Sequence, residues 1–199
     1  IKETGLQDFR YYAIKEMNRH VSDYDIWLAD HKLSEKELKK QREHRFEYTP
    51  KISIVIPLYN TPLDFLKALI DSIQSQTYEN WQLCLADGSN NGQVGPFIQR
   101  MYGKEKRISY VLLEKNEGIS ENTNGAIRIA DGDFIMFSDH DDTVAPNALY
   151  EIVKALNEDR ETDVVYTDED KVTMDGKTYY DPHFKPDFNL DLLRSNNYI

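Results

Sequence analysis

Residues 52–75 read ISIVIPLYNTPLDFLKALIDSIQS. The opening run, 52–57, is continuously apolar but for one serine, the pattern of a strand buried on both faces. In the window that follows, Phe65, Leu66, Leu69, Ile70 and Ile73 recur at the spacing of one helix face. Thr61 can cap that helix and Pro62 suits its first turn, so a helix is expected over 62–75. Outward from this pair the same alternation continues. Strands are expected at 81–86, 108–113, 133–138 and 164–167, and helices at 94–102, 120–130 and 146–156. Residues 172–180, with Asp175 and Gly176 at their centre, read as a hairpin. Alternation of this kind predicts an α/β fold, a mainly parallel central sheet flanked by helices, with ligands at the C-terminal ends of the strands.

Residues 8–48 read as helix, with Ser34 and Glu37 as a capping box before a Lys/Glu-rich stretch that lacks a broad apolar face. Two parts are therefore expected: a helical appendage over 1–49 and a ligand-binding domain over 50–199. The chain has 199 residues with 24 Lys and Arg against 35 Asp and Glu, a net charge of −11. That balance argues against a surface built to neutralise nucleic-acid phosphates and favours a cation, or a ligand carried by one. The first 50 residues carry ten basic and ten acidic side chains, so the acidic surplus belongs to the larger part. Cys84 is the single cysteine. It fits a small core position, and a reducing compartment is the simpler expectation. The longest apolar stretch, 52–59, is far short of the ~18 residues of a membrane span, and no signal-peptide pattern opens the chain. A cytoplasmic protein is expected, with peripheral association at the inner face of a membrane compatible with it. The first residue is Ile1, so the chain reads as a piece of a longer one.

The positions just after each strand hold the candidate chemistry. After the first stands Pro57-Leu58-Tyr59-Asn60-Thr61, which has neither the glycine-rich turn of a dinucleotide site nor the Gly-Lys-Ser/Thr of a P-loop. Tyr59 there can stack on a base or pack as an ordinary amphipathic side chain. After the second comes Asp87-Gly88-Ser89-Asn90-Asn91-Gly92. Asp87 can accept hydrogen bonds from a nucleobase imide or a ribose, although turns collect these residue types anyway. After the third, Glu117-Gly118-Ile119-Ser120-Glu121-Asn122-Thr123-Asn124-Gly125 opens a helix. Such a start offers free amide protons and Gly118 allows close approach by a ligand; a plain N-cap is the other reading.

The strongest signal follows the fourth strand, where FIMFS runs into Asp139-His140-Asp141-Asp142-Thr143. Carboxylates crowded at a strand end repel one another unless something positive offsets them, and a hard divalent cation, Mg2+ or Mn2+, does so. A solvated acidic turn is the alternative. Further on, Thr167-Asp168-Glu169-Asp170-Lys171 and Pro182-His183-Phe184-Lys185-Pro186 add acidic and basic groups. Asp168 and Asp170 can hold sugar hydroxyls, and Lys185 or His183 can meet phosphate or metal; each also fits an ordinary loop.

Taken in order, the blocks 52–61 (ISIVIPLYNT), 83–89 (LCLADGS), 116–124 (NEGISENTN), 132–146 (GDFIMFSDHDDTVAP) and 166–171 (YTDEDK) resemble the family 2 glycosyltransferases. The combination of DHDD, DEDK and FKPDF is similar to bacterial enzymes that build surface polysaccharides. The resemblance covers about residues 50–199. It implies a GT-A type domain that binds a nucleoside-diphosphate sugar, of UDP or dTDP, and transfers the sugar with inversion to a glycan or lipid-linked glycan. By that likeness Tyr59 would stack on the base, with Pro57 and Asn60 beside it, and Asp87 would contact the base. Gly118, Ser120 and Asn124 would run along the diphosphate. Asp139 would touch the ribose or the metal's shell, and Asp141 would be the principal ligand of Mn2+ or Mg2+. From residue type and place alone, and not from the likeness, Asp168, Asp170 and Lys185 are further candidates for sugar contact and His183 for metal. Many relatives carry two aspartates where this chain has Ala86-Asp87. The likeness places the catalytic base beyond Ile199 and leaves the catalytic residue unassigned.

Two rivals share some of these residues. Asp139-x-Asp141-x-Thr143 after an apolar strand also matches the nucleophile motif of haloacid-dehalogenase-like phosphatases, a motif that belongs on the first strand of its domain. A non-catalytic module that keeps the nucleotide-sugar pocket would show the same motifs.

Overall fold

The computed structural model describes residues 21–199. In chain order the elements are α1 (Asp23–His31), α2 (Glu35–Glu43), β1 (Ile52–Leu58), α3 (Leu63–Gln74), β2 (Trp81–Asp87), α4 (Val94–Tyr102), β3 (Ile108–Leu112), α5 (Ile119–Ile127), β4 (Phe134–Phe137), α6 (Ala148–Glu158), β5 (Glu169–Val172), β6 (Tyr179–His183) and α7 (Leu190–Ser195). They fall into two compact units. One spans Glu35–Thr162, and the other joins Asp163–Ile199 to residues 21–34.

The larger unit is built on a four-stranded parallel sheet in the order β3-β2-β1-β4. β1 and β2 are buried along their whole length, as their uninterrupted apolar runs require. On one face Ile52, Ile54, Ile56 and Leu58 of β1 meet Trp81, Leu83 and Leu85 of β2 under the apolar sides of α3, α4 and α6. The opposite face is smaller: Val55, Cys84 and Ala86 lie against Ala126 of α5. Burial pushes the Cys84 thiol up to about 11, which suits a core position. Sharing the face with Val55 is a polar bridge that the apolar pattern did not announce. The Ser53 hydroxyl donates to Gln82 Oε1 at 3.0 Å, and Gln82 Nε2 donates to the Ser109 hydroxyl at 3.1 Å and the Ile129 carbonyl at 3.0 Å. Three strands and the loop before β4 are thereby pinned together.

Two expectations for the helices need correction. Thr61 does not cap α3: the N-cap is Pro62, extended at φ −58 and ψ 131, and the Thr61 hydroxyl is buried without a partner. The stretch read as helix over 8–48 is divided at Lys32, which caps α1 in an extended conformation; helix resumes at Glu35, beside the Ser34 expected to open a capping box, and stops at Glu43 and not at 48. α1 opens on a capping box of Ser22 and Asp25 that the sequence reading passed over. The part of that expectation over residues 8–20 lies outside the described residues. Residues 35–49, expected in the appendage, belong to the larger unit. Tyr48 and Asn157 exchange two hydrogen bonds of 2.9 Å, and the Tyr78 hydroxyl donates to the Pro50 carbonyl at 2.6 Å.

In the smaller unit β5 and β6 pair antiparallel, turning at Asp175 and Gly176 as expected. The strand expected at 164–167 forms no ladder; pairing begins at Glu169. Trp27 of α1 stacks on His31 at 4.1 Å between ring centres and meets the Phe184 ring edge-on at 5.1 Å.

Candidate functional site

Because all four strands of the larger unit run parallel, the segments that follow them emerge at one edge of the sheet. Tyr59, after β1, is half exposed. Asn60 takes the left-handed conformation at φ 51 and its amide donates to the Ser89 hydroxyl at 2.7 Å, so the loops after β1 and β2 are bonded to each other. The Gly88 amide adds a second link, to the Leu58 carbonyl at 2.9 Å. Pro57 lies inside β1, buried opposite Ala86, where it withholds one amide donor from the ladder. Asp87 ends β2 and is 2% exposed. Its Oδ1 accepts from the Ser89 amide at 2.9 Å and its Oδ2 from the Tyr110 hydroxyl at 3.0 Å.

The loop from β3 into α5 is shaped by Asn116. Its Oδ1 accepts from the Gly118 amide at 3.1 Å and from Asn122 Nδ2 at 3.0 Å. Gly118 stands at the N-cap with φ 96, a conformation that favours glycine, and leaves the start of α5 without a side-chain cap. Ser120 and Asn124 are exposed on this helix. An open cleft of about 480 Å³ lies between these loops, walled by Tyr59, Gly88, Ser89, Asn90, Lys115 and Asn116 among others. An adjoining cleft of about 280 Å³ reaches Asn122 and Arg128. The sequence reading named Tyr59 of the larger cleft's wall but missed Ser89 and Asn116. Both were legible as side chains that bond a turn amide, Ser89 beside an Asp-Gly and Asn116 in Asn-x-Gly. Tyr110 was hidden in a strand whose alternation carries no chemical signal.

Asp139 and Asp141 are exposed in the turn after β4, where the Asp142 amide approaches the Asp139 carbonyl at 3.4 Å. Among the described residues no group of three or more His, Cys, Asp or Glu converges as a metal-holding cluster. The donor set at this turn is carboxylate oxygen, which fits a hard divalent ion that takes its remaining ligands from phosphate and water.

The candidates of the smaller unit are engaged with one another. The Lys185 amide donates to Asp168 Oδ1 at 2.7 Å, and the Tyr24 hydroxyl donates to Asp170. Glu169, which the sequence reading did not single out, holds His183 Nδ1 at 3.1 Å and Lys185 Nζ at 3.3 Å. The His183 bond, and then Lys185, keep the Glu169 carboxyl below its ordinary value. The Lys185 side chain is only 8% exposed, so Glu169 neutralises a charge held mostly out of water.

Among the described residues no helix is long and apolar enough to cross a membrane. The phosphatase reading expects its aspartate after the first strand of a domain, whereas Asp139 follows β4 at the edge of the sheet.

The chain is 29% identical over 180 residues to the O-antigen biosynthesis protein RfbC of Myxococcus xanthus, covering 90% of this chain and 14% of that protein. It spans 14% and 17% of the length of two curated relatives that it matches. Among solved structures, TarS 1–349 of S. aureus in complex with UDP-GlcNAc aligns with a TM-score of 0.51 at 23% identity, covering 55% of this chain and 32% of that one. The mannosyltransferase PcManGT of Pyrobaculum calidifontis, in complex with GDP-Man and Mn2+, aligns with a TM-score of 0.50 at 20% identity, covering 61% and 38%. These two likenesses are of fold: a parallel sheet flanked by helices, of the GT-A type. The family model described as "Glycosyl transferase family 2" matches residues 53–197, and the chain belongs to that family.

Proposed function

We propose that this chain binds the donor of an inverting, divalent-metal-dependent glycosyltransferase. The enzyme would move a sugar from a nucleoside diphosphate to a hydroxyl of a glycan or lipid-linked glycan in surface polysaccharide synthesis. The observation that carries the reading is the shared edge of the parallel sheet. It presents the Tyr59 ring, the Asp87 loop, the uncapped start of α5 and the Asp139/Asp141 turn together. RfbC, with its role in O-antigen biosynthesis, and the nucleotide sugars held by TarS and PcManGT support the substrate class.

In this reading Tyr59 stacks on the base, of UDP or dTDP. Gly118, Ser120 and the free amides of α5 lie along the diphosphate, where the helix dipole favours negative charge. Asp139 and Asp141 would hold the metal. Mn2+ or Mg2+, when bound, supplies positive charge that offsets the charge growing on the departing diphosphate. Transfer breaks the bond from the anomeric carbon to that diphosphate and forms one to the acceptor oxygen on the opposite face. The acceptor's proton passes to a carboxylate base. Asp168, Asp170 and Lys185 are the candidates for sugar contact, and a lipid-linked acceptor would place the work at the inner face of the membrane.

Calorimetry with UDP, dTDP and GDP, each with and without Mn2+, tests this on wild type and Asp141→Ala. One nucleotide is expected to bind only with metal, and the variant to lose at least tenfold in affinity. Equal binding by the variant would overturn the metal assignment, and absence of nucleotide binding by wild type would overturn the reading as a whole. Binding without turnover in the longer protein would favour a non-catalytic module.

A further inference from the structure

We infer that Tyr110 is a positioning residue for the nucleotide cleft, acting through Asp87 and Ser89 on the loop that carries Tyr59. The inference rests on the donor-binding reading above. Its basis is a chain of hydrogen bonds that crosses three strand ends. The Tyr110 hydroxyl donates to Asp87 Oδ2 at 3.0 Å; the other oxygen of Asp87 accepts from the Ser89 amide at 2.9 Å; the Ser89 hydroxyl accepts from the Asn60 amide at 2.7 Å. Tyr59, the residue before Asn60, and Ser89 both line the cleft. Asp87 is not among the lining residues and is 2% exposed, so a buried carboxylate joins Tyr110 to the cleft wall.

Two further observations show that the Tyr110 hydroxyl is placed rather than incidental. Tyr110 pairs with Leu85, two residues before Asp87 and on the same face of β2, so its side chain reaches the carboxylate diagonally across neighbouring strands. Its ring leans on α4 at Gly95, where a Cβ would stand 3.2 Å from Cε1 and 3.3 Å from the hydroxyl oxygen. A glycine at 95 therefore leaves the ring its position. Burial, and next the bond to Asp87, raise the hydroxyl's pKa above its ordinary value, so the group stays a donor at every working pH. Without that donor the carboxylate loses one of its two holds. The turn amide of Ser89, and with it the Asn60 bond that sets the left-handed residue beside Tyr59, is then free to move.

The test is UDP affinity, by calorimetry at fixed divalent-metal concentration, for wild type, Tyr110→Phe, Ser89→Ala and the double variant, each with its melting temperature. Each single variant is expected to bind UDP about 3–10-fold more weakly, the range of one hydrogen bond's net contribution. The double variant is expected to be no weaker than the weaker single, because both act on one chain. A merely structural role for Tyr110 would lower the melting temperature and leave the two effects multiplicative. Gly95→Ala, which keeps the hydroxyl but presses the ring, is expected to weaken UDP in the same direction, and it serves where Tyr110→Phe fails to fold. Wild-type-like affinity in Tyr110→Phe and in Gly95→Ala, or multiplicative effects in the double variant, would overturn the inference while leaving the donor-binding reading intact. Failure of wild type to bind any nucleoside diphosphate would overturn both.

Discussion

The guanidinium of Arg107 lies 3.8 Å from the centre of the Trp81 ring, covering the first residue of β2 where the sheet meets solvent. The same group grips Glu105, with Nε at 2.9 Å from Oε1 and Nη2 at 2.7 Å from Oε2. This planar fork is the geometry for which arginine has no substitute, and it places a cation over an aromatic face at the same time.

A pH dependence follows from that pair. The Arg107 hydrogen bond is the main cause that holds the Glu105 carboxyl at about 2, against an ordinary value of 4.5. A carboxylate depressed in the folded state stabilises it fully above the unfolded value, and loses that contribution as pH falls from about 4.5 through about 2. After discounting for solvent around a partly exposed pair, the contribution is about 1–2 kcal/mol. Glu105→Gln is therefore expected to lose about that much at pH 7 and to show most of that deficit gone by about pH 2.5, measured by urea unfolding. A deficit that stayed constant with pH would refute the assignment.

Ala126 is a test of how the sheet's smaller face is packed. It is fully buried with Val55, Cys84 and Ala86. Close-packed small side chains leave no room for added methylenes, so Ala126→Leu should cost about 1–3 kcal/mol in unfolding free energy. A variant as stable as wild type would show that α5 can move off the sheet.

Much of this architecture could be read directly from residues. The apolar runs at 52–57 and 81–86 carry β1 and β2, and the spacing of Phe65, Leu66, Leu69, Ile70 and Ile73 carries α3, because burial on a fixed period leaves its mark in composition. What remained hidden depends on long-range partners. Whether 164–167 joins a ladder is decided by what lies beside it, not by its β-branched residues. Thr61 looked like a cap because it precedes a helix, yet the extended Pro62 took that place. At the candidate site the turn residues Asp87 and Gly118 stood out by type, whereas Tyr110, Asn122 and Glu169 have roles set only by which strand or loop faces them.

Gly118 offers a way to separate binding from folding. Its φ of 96 with ψ 173 penalises any residue with a Cβ by about 1–3 kcal/mol, while nothing lies within 4 Å of where that Cβ would stand. The exposed turn can relax at modest cost to the fold, but relaxing it re-aims the first amides of α5. Gly118→Ala is expected to weaken binding of a metal-loaded nucleoside diphosphate at least fivefold while the melting temperature falls by only a few degrees. A large drop in melting temperature with unchanged affinity would place the glycine's importance in folding instead.

Glu169 is the last case, and here the two partners should respond differently. Lys185 is held almost entirely out of water and Glu169 is the carboxylate that meets its ammonium, so removing the acid strands a charge whereas removing the base does not. Glu169→Gln should therefore loosen the Lys185 segment more than Lys185→Met does. The amide of residue 185, which donates to Asp168, reports this directly through hydrogen exchange. Faster exchange in Glu169→Gln than in Lys185→Met is expected. The reverse order would mean that the methylene stem of Lys185, and not its charge, holds that segment in place.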